Sequence, residues 1–183
     1  MNMTPRNLAF FGGAILIGLI LGFIYPLLGL LMLIPAIGFV AFVLMRNKGG
    51  SEASEGAAAR AREFTAEDGK AAIYVMRKGF VGGQQGLNIT IDDDLTTQFR
   101  TGRFVKADIE PGDHVVAAQM ASQTKGTATS QTVTLGAGEA VLLDAKLNMG
   151  ALQGSIEFLE TRDANEARSK LDGLRLVEWS AAE

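Results

Sequence analysis

A long uncharged run near the start of the chain constrains the fold more than any other feature. Residues 7–45 contain no Asp, Glu, Lys or Arg and are dominated by Leu, Ile, Gly, Phe and Ala. A membrane-spanning helix needs about 20 apolar residues, each rising about 1.5 Å. The run is long enough for two such helices, and even a steeply tilted single helix would overshoot the bilayer. We therefore predict a transmembrane helical hairpin over residues 1–46.

The turn of this hairpin is predicted at residues 22–26, because Pro26 disfavours helical geometry in the residue before it. The two spans then cover residues 7–24 and 27–45. Pro35 falls inside the second span, where a kink is tolerated if the freed carbonyl finds another partner. The alternative of a cleaved signal peptide needs a small-residue cleavage site, and residues 12–24 offer no good one.

The basic residues that flank the run predict its orientation. Arg6 precedes the first span, Arg46 and Lys48 follow the second, and the turn between the spans is uncharged. The positive-inside bias then places both ends of the hairpin in the cytoplasm. We expect a multi-pass protein of the cytoplasmic membrane whose soluble domain lies on the cytoplasmic side, with a periplasmic domain as the alternative.

Three small residues recur at four-residue spacing within the first span. Ala14, Gly18 and Gly22 form a small-xxx-small face, which lets two helix backbones approach closely. This candidate membrane-docking face either packs the hairpin against itself or docks another integral membrane protein or a second copy of the chain. The absence of ionisable groups within the spans indicates an anchor rather than an ion or proton pathway.

The rest of the chain has a different composition. The chain carries 17 basic and 20 acidic side chains, but the first 50 residues hold three basic and no acidic ones. Residues 51–183 therefore carry a net charge of −6, without a basic stripe that would bind nucleic acid. The lack of cysteine excludes disulfides, thiolate metal sites, cysteine nucleophiles and a lipidated N-terminal cysteine.

After the hairpin we predict a flexible linker over residues 47–69 and a β-sandwich domain over residues 70–183. The linker is rich in Gly, Ser, Ala and charge, and Phe64 is its only large apolar residue. Beyond it, short β-type runs alternate with turn signals, and Gly136-Ala137-Gly138 is typical of a hairpin connection. We predict an all-β antiparallel sandwich of seven or eight strands and one short C-terminal helix, with Asp163 as its N-cap. The predicted strands are 71–77, 86–92, 103–109, 114–121, 132–135, 139–147, 154–160 and 174–179, and the helix lies within 161–171.

The order of landmarks between residues 70 and 178 resembles a bacterial family of unknown function. Its members are small β-sandwich domains of PEGA- or transthyretin-like type, often found in lipoproteins. The matching features, in chain order, are Ile73-Tyr74-Val75, Gly79-Phe80-Val81-Gly82, the acidic turn 92–94, Gly102-Arg103-Phe104-Val105, Pro111-Gly112-Asp113-His114, Gly138-Glu139 and Leu159-Glu160. The resemblance implies a β-sandwich in the bacterial envelope and no particular chemistry. The chain differs from it by having an apolar hairpin in place of the lipidated cysteine.

Few residues of the domain point to chemistry. His114 is the only histidine, and we interpret it as a turn-edge side chain held by a neighbour rather than as a ligand or a catalytic base. Residues 92–94 are three aspartates without EF-hand spacing, which favours a hairpin turn over a calcium site. The glycine-rich stretch from Gly82 lacks the Lys-Ser/Thr of a phosphate-binding loop. Phe80, Val81, Gly82 and Gly83 instead form a candidate interaction loop, because apolar residues stand there on a glycine-rich connection.

These patterns predict a membrane-anchored, non-enzymatic β-sandwich that serves as a binding or accessory subunit of a membrane protein complex. We expect no catalytic, cofactor-binding or metal site. We expect the partners to be membrane lipid and either another integral membrane protein or a second copy of the chain. One alternative is a membrane-tethered domain that senses a small ligand or lipid. A third hypothesis is an enzyme that depends on His114 or a carboxylate.

Overall fold

The computed structural model of the chain describes residues 18, 20, 22, 24–46, 50–79, 85–121, 128–149 and 154–180. It divides into two compact units, Met1–Arg46 and Asn47–Glu183. In the first unit, Gly18, Ile20, Gly22 and Ile24 are helical, Tyr25 is not, and helix α1 then covers Pro26–Arg46. The interruption lies where the sequence predicts the turn before Pro26.

Helix α1 is 21 residues long, contains Pro35 and exposes large apolar side chains along its length. Leu27 and Met45, near its two ends, are each 79% exposed. In the part of the chain that the structure describes, no helix is long and apolar enough to qualify as a membrane span. The two-span hairpin remains a prediction.

The second unit contains two packed β-sheets, which confirms the β-sandwich. One is a four-stranded sheet of order β3-β2-β5-β6, in which every neighbouring pair is antiparallel. Alternating apolar residues such as Leu87, Ile89 and Ile91 form this sheet because they bury one face and leave the other in solvent. Its strands are β2 (Leu87–Ile91), β3 (Leu95–Phe99), β5 (Gly112–Met120) and β6 (Thr129–Leu135).

The other sheet has five strands of order β8-β7-β1-β4-β9. Its strands are β1 (Ala71–Arg77), β4 (Arg103–Ile109), β7 (Ala140–Met149), β8 (Gly154–Thr161) and β9 (Arg175–Leu176). The pairs β1–β4 and β7–β8 are antiparallel, whereas β1–β7 and β4–β9 are parallel. The prediction of an entirely antiparallel sandwich is therefore wrong for this sheet, and the described residues form nine strands rather than seven or eight.

The connection Gly136-Ala137-Gly138 explains part of this difference. It leads from β6 in one sheet to β7 in the other, so it is a sheet-to-sheet crossing and not the hairpin that the sequence indicates. Gly138 has a φ of 80°, in the left-handed region, and its N–H donates to the carbonyl of Lys70 at 2.7 Å. This contact starts β7 beside β1, with which it runs parallel.

The main core lies between the two sheets. Side chains such as Ile73 and Val75 of β1 meet Ile89 of β2 and Val116 of β5, and all four are fully buried. A second apolar cluster lies on the opposite face of the five-stranded sheet, where Tyr74, Phe104 and Leu142 are buried. Because both faces of this sheet are covered, every residue of β1 is buried, which accounts for its nearly continuous apolar sequence.

Two short helices cover that second cluster. Helix α2 (Glu55–Arg62) begins after Ser54, whose hydroxyl accepts the N–H of Ala57 at 3.3 Å. Helix α3 (Ala164–Leu171) begins after Asp163, whose carboxylate accepts the N–H of Glu166 at 2.8 Å. The latter contact confirms both the C-terminal helix and its N-cap.

The described part of the predicted flexible linker, residues 50–69, is instead packed into the domain. Ala58, Ala61 and Phe64 are at most 5% exposed, and the Phe64 ring lies 4.8 Å from that of Tyr74. Alanine is small enough for a helix to approach the sheet closely, and Phe64 supplies the large apolar side chain. The linker prediction therefore needs correction: composition alone hid the burial of these residues.

Candidate functional site

An open groove on the helix-covered side of the five-stranded sheet is the clearest candidate binding site. It encloses about 550 Å³ and is bounded by α2, by residues 63–67, by β4 and by the C-terminal residues 176–179. We call it the α2–β4 groove. Small or aliphatic side chains line much of it, including Ala57, Ala61, Leu176 and Val177. It can therefore accept chain or side-chain atoms of a partner.

Two charged residues of β4 lie side by side in this groove. Lys106 Nζ is 2.9 Å from Asp108 Oδ2, and each side chain is only 18% exposed. The other carboxylate oxygen of Asp108 accepts the backbone N–H of Glu67 at 3.1 Å. This hydrogen bond fixes the segment after α2 against the strand. The charges of Lys106 and Asp108 thus cancel, and the pair shapes the groove. The net charge of the groove is set by its other lining residues.

Tyr74 lies beneath the same segment. Its hydroxyl donates to the carbonyl of Thr65 at 3.1 Å, and Lys106 Nζ is 5.9 Å from the ring centroid. Burial, reinforced by the nearby Asp108 carboxylate, raises the pKa of Tyr74 well above its usual range. The phenol therefore stays neutral and acts as a structural hydrogen-bond donor.

Trp179 forms the far side of the groove. Its indole N–H donates to the carbonyl of Lys106 at 2.6 Å, so the orientation of the half-buried ring is fixed. Trp179 is the only tryptophan in the chain. A ring held at its polar edge can still offer apolar contact or a cation–π interaction to a bound group.

The C-terminal wall of the groove is held by the segment just before α2. Backbone N–H groups of Ala53 and Glu178 donate to the carbonyls of Leu176 and Ser51, at 3.0 and 2.9 Å. The Glu52 carboxylate accepts from Arg103 at 2.7 Å and from Arg175 at 3.2 Å. Hydrogen bonding to Arg103, followed by Arg175, lowers the pKa of Glu52. The first and last segments of the domain are therefore held together by these hydrogen bonds and ion pairs.

His114 joins two turns of the sandwich. Its Nδ1 is 2.6 Å from Asp92 Oδ2 and its Nε2 is 2.7 Å from the carbonyl oxygen of Glu110. Burial lowers the pKa of His114, but the hydrogen bonds to Asp92 and Glu110 outweigh it and the net shift is upward. Both ring nitrogens face acceptors, which favours the doubly protonated ring. The structure agrees with the interpretation of His114 as a side chain held by its neighbours.

The three aspartates at 92–94 form the turn between β2 and β3. Asp92 and Asp93 have φ angles of 53° and 58°, a left-handed conformation that aspartate tolerates better than most residues. Asp92 also accepts the N–H of Val115 at 2.8 Å. This agrees with the predicted hairpin turn. Among the described residues, no group of three or more His, Cys, Asp or Glu side chains is arranged to hold a metal ion.

The other predicted site residues are mostly outside the described residues. Ala14 of the membrane-docking face and the whole candidate interaction loop, Phe80, Val81, Gly82 and Gly83, fall there. Gly18 and Gly22 are described and helical. In the described structure, a Cβ at either glycine would meet no atom within 4 Å. The docking face and the interaction loop remain predictions.

Sequence reasoning missed the α2–β4 groove because its lining comes from distant segments. The one available signal was in the presumed linker, where Ala58, Ala61 and Phe64 recur at three-residue spacing, as on one face of a helix. Trp179 was also assigned only to a last strand. Neither pattern indicates by itself that the two segments meet.

Comparison with known proteins adds no assignment: no protein-family model matches the chain, and no curated protein matches it. The PEGA- or transthyretin-like resemblance therefore remains a prediction, carried only by the order of its landmarks.

Proposed function

We propose that the protein is a membrane-anchored β-sandwich that acts as a binding or accessory subunit of a membrane protein complex. The observation that carries the anchor is the exposed apolar surface of α1. Side chains from Leu27 to Met45 are exposed on more than one side of the helix, with Leu31, Ile34 and Ile37 all above 60%. A helix that is apolar all round is stable only inside a protein or a lipid bilayer.

Length and flanking charge support the same proposal. The uncharged run over residues 7–45 is longer than the about 20 apolar residues that one bilayer crossing requires. Arg46 ends α1 and Lys48 follows it, which favours the cytoplasm for this end. We propose that the sandwich faces the cytoplasm and that Ala14, Gly18 and Gly22 contact another membrane protein or a second copy.

The binding role is supported by the α2–β4 groove. It is a concave surface with an apolar lining and a fixed aromatic ring, features that binding sites commonly combine. It forms where the first and last segments of the domain meet. A partner seated there would contact both of these segments.

Two single lysine substitutions in α1 test the anchor. A lysine at the centre of a membrane helix costs about 2.5–3.5 kcal/mol, whereas one near the end can reach the headgroups. We expect the unsubstituted chain and the matched variant Met45→Lys to stay with the membranes during alkaline carbonate extraction, and a larger fraction of Ile37→Lys to be released. Equal extraction of the unsubstituted chain, Ile37→Lys and Met45→Lys would contradict the anchor.

A further inference from the structure

The charges around the α2–β4 groove differ from those of the rest of the domain. Most described glutamates have a side-chain partner within the structure. These pairs are Glu52 with Arg103 and Arg175, Glu55 with Arg62, Glu110 with Lys70, Glu139 and Glu160 with Arg162, Glu157 with Asn148, and Glu166 with Lys170. Among the described glutamates, only Glu63, Glu67 and Glu178 have side chains that make no hydrogen bond or ion pair, and all three line the groove.

This grouping leaves the groove with uncompensated negative charge. Lys106 and Asp108 neutralise each other, and Arg60 is the remaining cation among the lining residues. Three glutamates against one arginine give the rim a net charge of −2. Like charges around a concave surface raise the local concentration of cations and speed the approach of cationic partners. Anionic lipid headgroups and nucleic acids would be repelled.

The interior of the groove limits the shape of its occupant. Ala53, Ala57, Ala61 and Ala66 line it with methyl groups, which leaves room for a backbone and short side chains. Trp179 adds a ring whose indole N–H is already bound to the Lys106 carbonyl at 2.6 Å. A lysine or arginine side chain over that ring would gain a cation–π interaction together with attraction to the glutamates.

We propose that the α2–β4 groove binds an extended basic segment of a partner protein, in which lysine or arginine alternates with small residues. This inference deepens the proposed function, because it assigns a site and a chemistry to the binding role. Small residues would lie over the alanine methyl groups. The basic side chains would reach Glu63, Glu67 and Glu178.

The single tryptophan allows a direct test on the full-length chain in neutral detergent micelles. The probes are two capped octapeptides, one alternating Ala and Lys and the other alternating Ala and Glu. We expect the Ala-Lys peptide to cause a saturable change in Trp179 fluorescence that weakens as salt is added, and the Ala-Glu peptide to cause none. A response to both peptides, or to neither, would overturn the proposal.

Charge-matched variants locate the binding. The groove variant carries Glu63→Gln, Glu67→Gln and Glu178→Gln, and the control carries Glu139→Gln, Glu157→Gln and Glu166→Gln. We expect the groove variant to bind the Ala-Lys peptide about tenfold more weakly, since each exposed ion pair contributes only modestly. The control should bind as the unsubstituted chain does, and equal weakening of both variants would refute the site.

The two proposals fail in different ways. The peptide titration is done in detergent and needs no bilayer, whereas the anchor is tested by carbonate extraction. A chain that binds the peptide but is extracted by carbonate would refute the anchor and leave the groove assignment. A chain that resists extraction but ignores the peptide would refute the groove assignment alone.

Discussion

At the scale of single residues, His114 shows how one side chain can join two separate turns. It contacts the Asp92 carboxylate in the β2–β3 turn and the Glu110 carbonyl before β5, and Asp113 adds a further negative charge nearby. Because both acceptors favour the protonated ring, this charge stabilises the fold only while the imidazole holds its second proton. The contact therefore stabilises the fold only over a defined range of pH.

Replacing His114 with Gln tests this window. The pKa of His114 is raised on folding, so its stabilisation is complete below the unfolded value of about 6.5 and is lost as the pH rises through the folded pKa. Burial raises the pKa of Asp92, but its hydrogen bonds to His114 and Val115 lower that pKa by more, so the net shift is downward. The stabilisation from Asp92 is therefore lost as the pH falls through its lowered pKa. We expect His114→Gln to cost about 1 kcal/mol near pH 5.5 and less near pH 9.

The measurement is chemical unfolding followed by Trp179 fluorescence at several pH values. Glu157→Gln, on the exposed side of β8, serves as a control without this pH dependence. A loss of stability that is the same at pH 5.5 and pH 9 would contradict the role of the protonated ring.

Asp144 of β7 is a second residue with a measurable pH effect. It is 7% exposed, and its Oδ1 has no hydrogen-bond partner in the described structure. Burial raises its pKa, although Lys146, Lys170 and Lys78 oppose the shift. The charged form is therefore disfavoured in the folded state, and the resulting cost disappears as the pH falls below the unfolded value.

We expect Asp144→Asn to stabilise the domain by about 1 kcal/mol at pH 8, with a gain that shrinks toward pH 4. Unfolding midpoints of the two proteins at both pH values provide the measurement. Destabilisation at pH 8 would show that attraction to the three lysines outweighs burial of the carboxylate.

At the scale of elements, the short segment after α1 is part of the sandwich. The N–H of Gly50 donates to the carbonyl of Gln98 in β3 at 2.9 Å. A Cβ at Gly50 would lie 2.7 Å from that same oxygen and would collide with the Val177 side chain. Only a glycine fits between β3 and the C-terminal segment without a shift of the backbone.

Two glycine-to-alanine substitutions on either side of Ser54 should therefore have opposite effects. Gly50→Ala should destabilise the domain by about 1–3 kcal/mol through overpacking. Gly56→Ala, whose added methyl would only make an ordinary contact with the Arg60 guanidinium at 3.9 Å, should stabilise it by up to about 1 kcal/mol through helix propensity. Thermal unfolding of both variants gives the comparison, and a neutral Gly50→Ala would show that this segment is not packed.

The sequence predicted the elements that carry their own periodic pattern. Strand β2 alternates buried and half-buried residues, and Asp163 caps α3 in a locally recognisable way. Strand β3 (Leu95–Phe99) was missed because Thr96, Thr97 and Gln98 give it a polar sequence. The parallel pairing of β1 with β7 was missed because it joins segments far apart in the chain.

The candidate site was less predictable than the fold for the same physical reason. Helix α2 has the composition of a soluble tether, and only its contact with the outer face of the five-stranded sheet buries Ala58 and Ala61. Charge pairing is also a property of the folded chain. Nothing in the sequence separates Glu63, Glu67 and Glu178 from the glutamates that find partners.

At the scale of the whole molecule, we propose that an apolar helical anchor carries an acidic sandwich that binds a partner. The first unit ends at Arg46, and Gly50 of the second unit already pairs with β3. The packed segment that begins at Gly50 takes the place of the long tether expected from composition.

The most direct test of this account is thiol labelling in this cysteine-free chain. Single cysteines at Ile37, within α1, and at Ser169, exposed on α3, are probed with a membrane-impermeant maleimide. We predict that Ser169→Cys is protected in intact cells and labelled after lysis, whereas Ile37→Cys is labelled only after detergent is added. Labelling of Ile37→Cys in lysed membranes as rapidly as Ser169→Cys would contradict the anchor, and labelling of Ser169→Cys in intact cells would contradict the cytoplasmic domain.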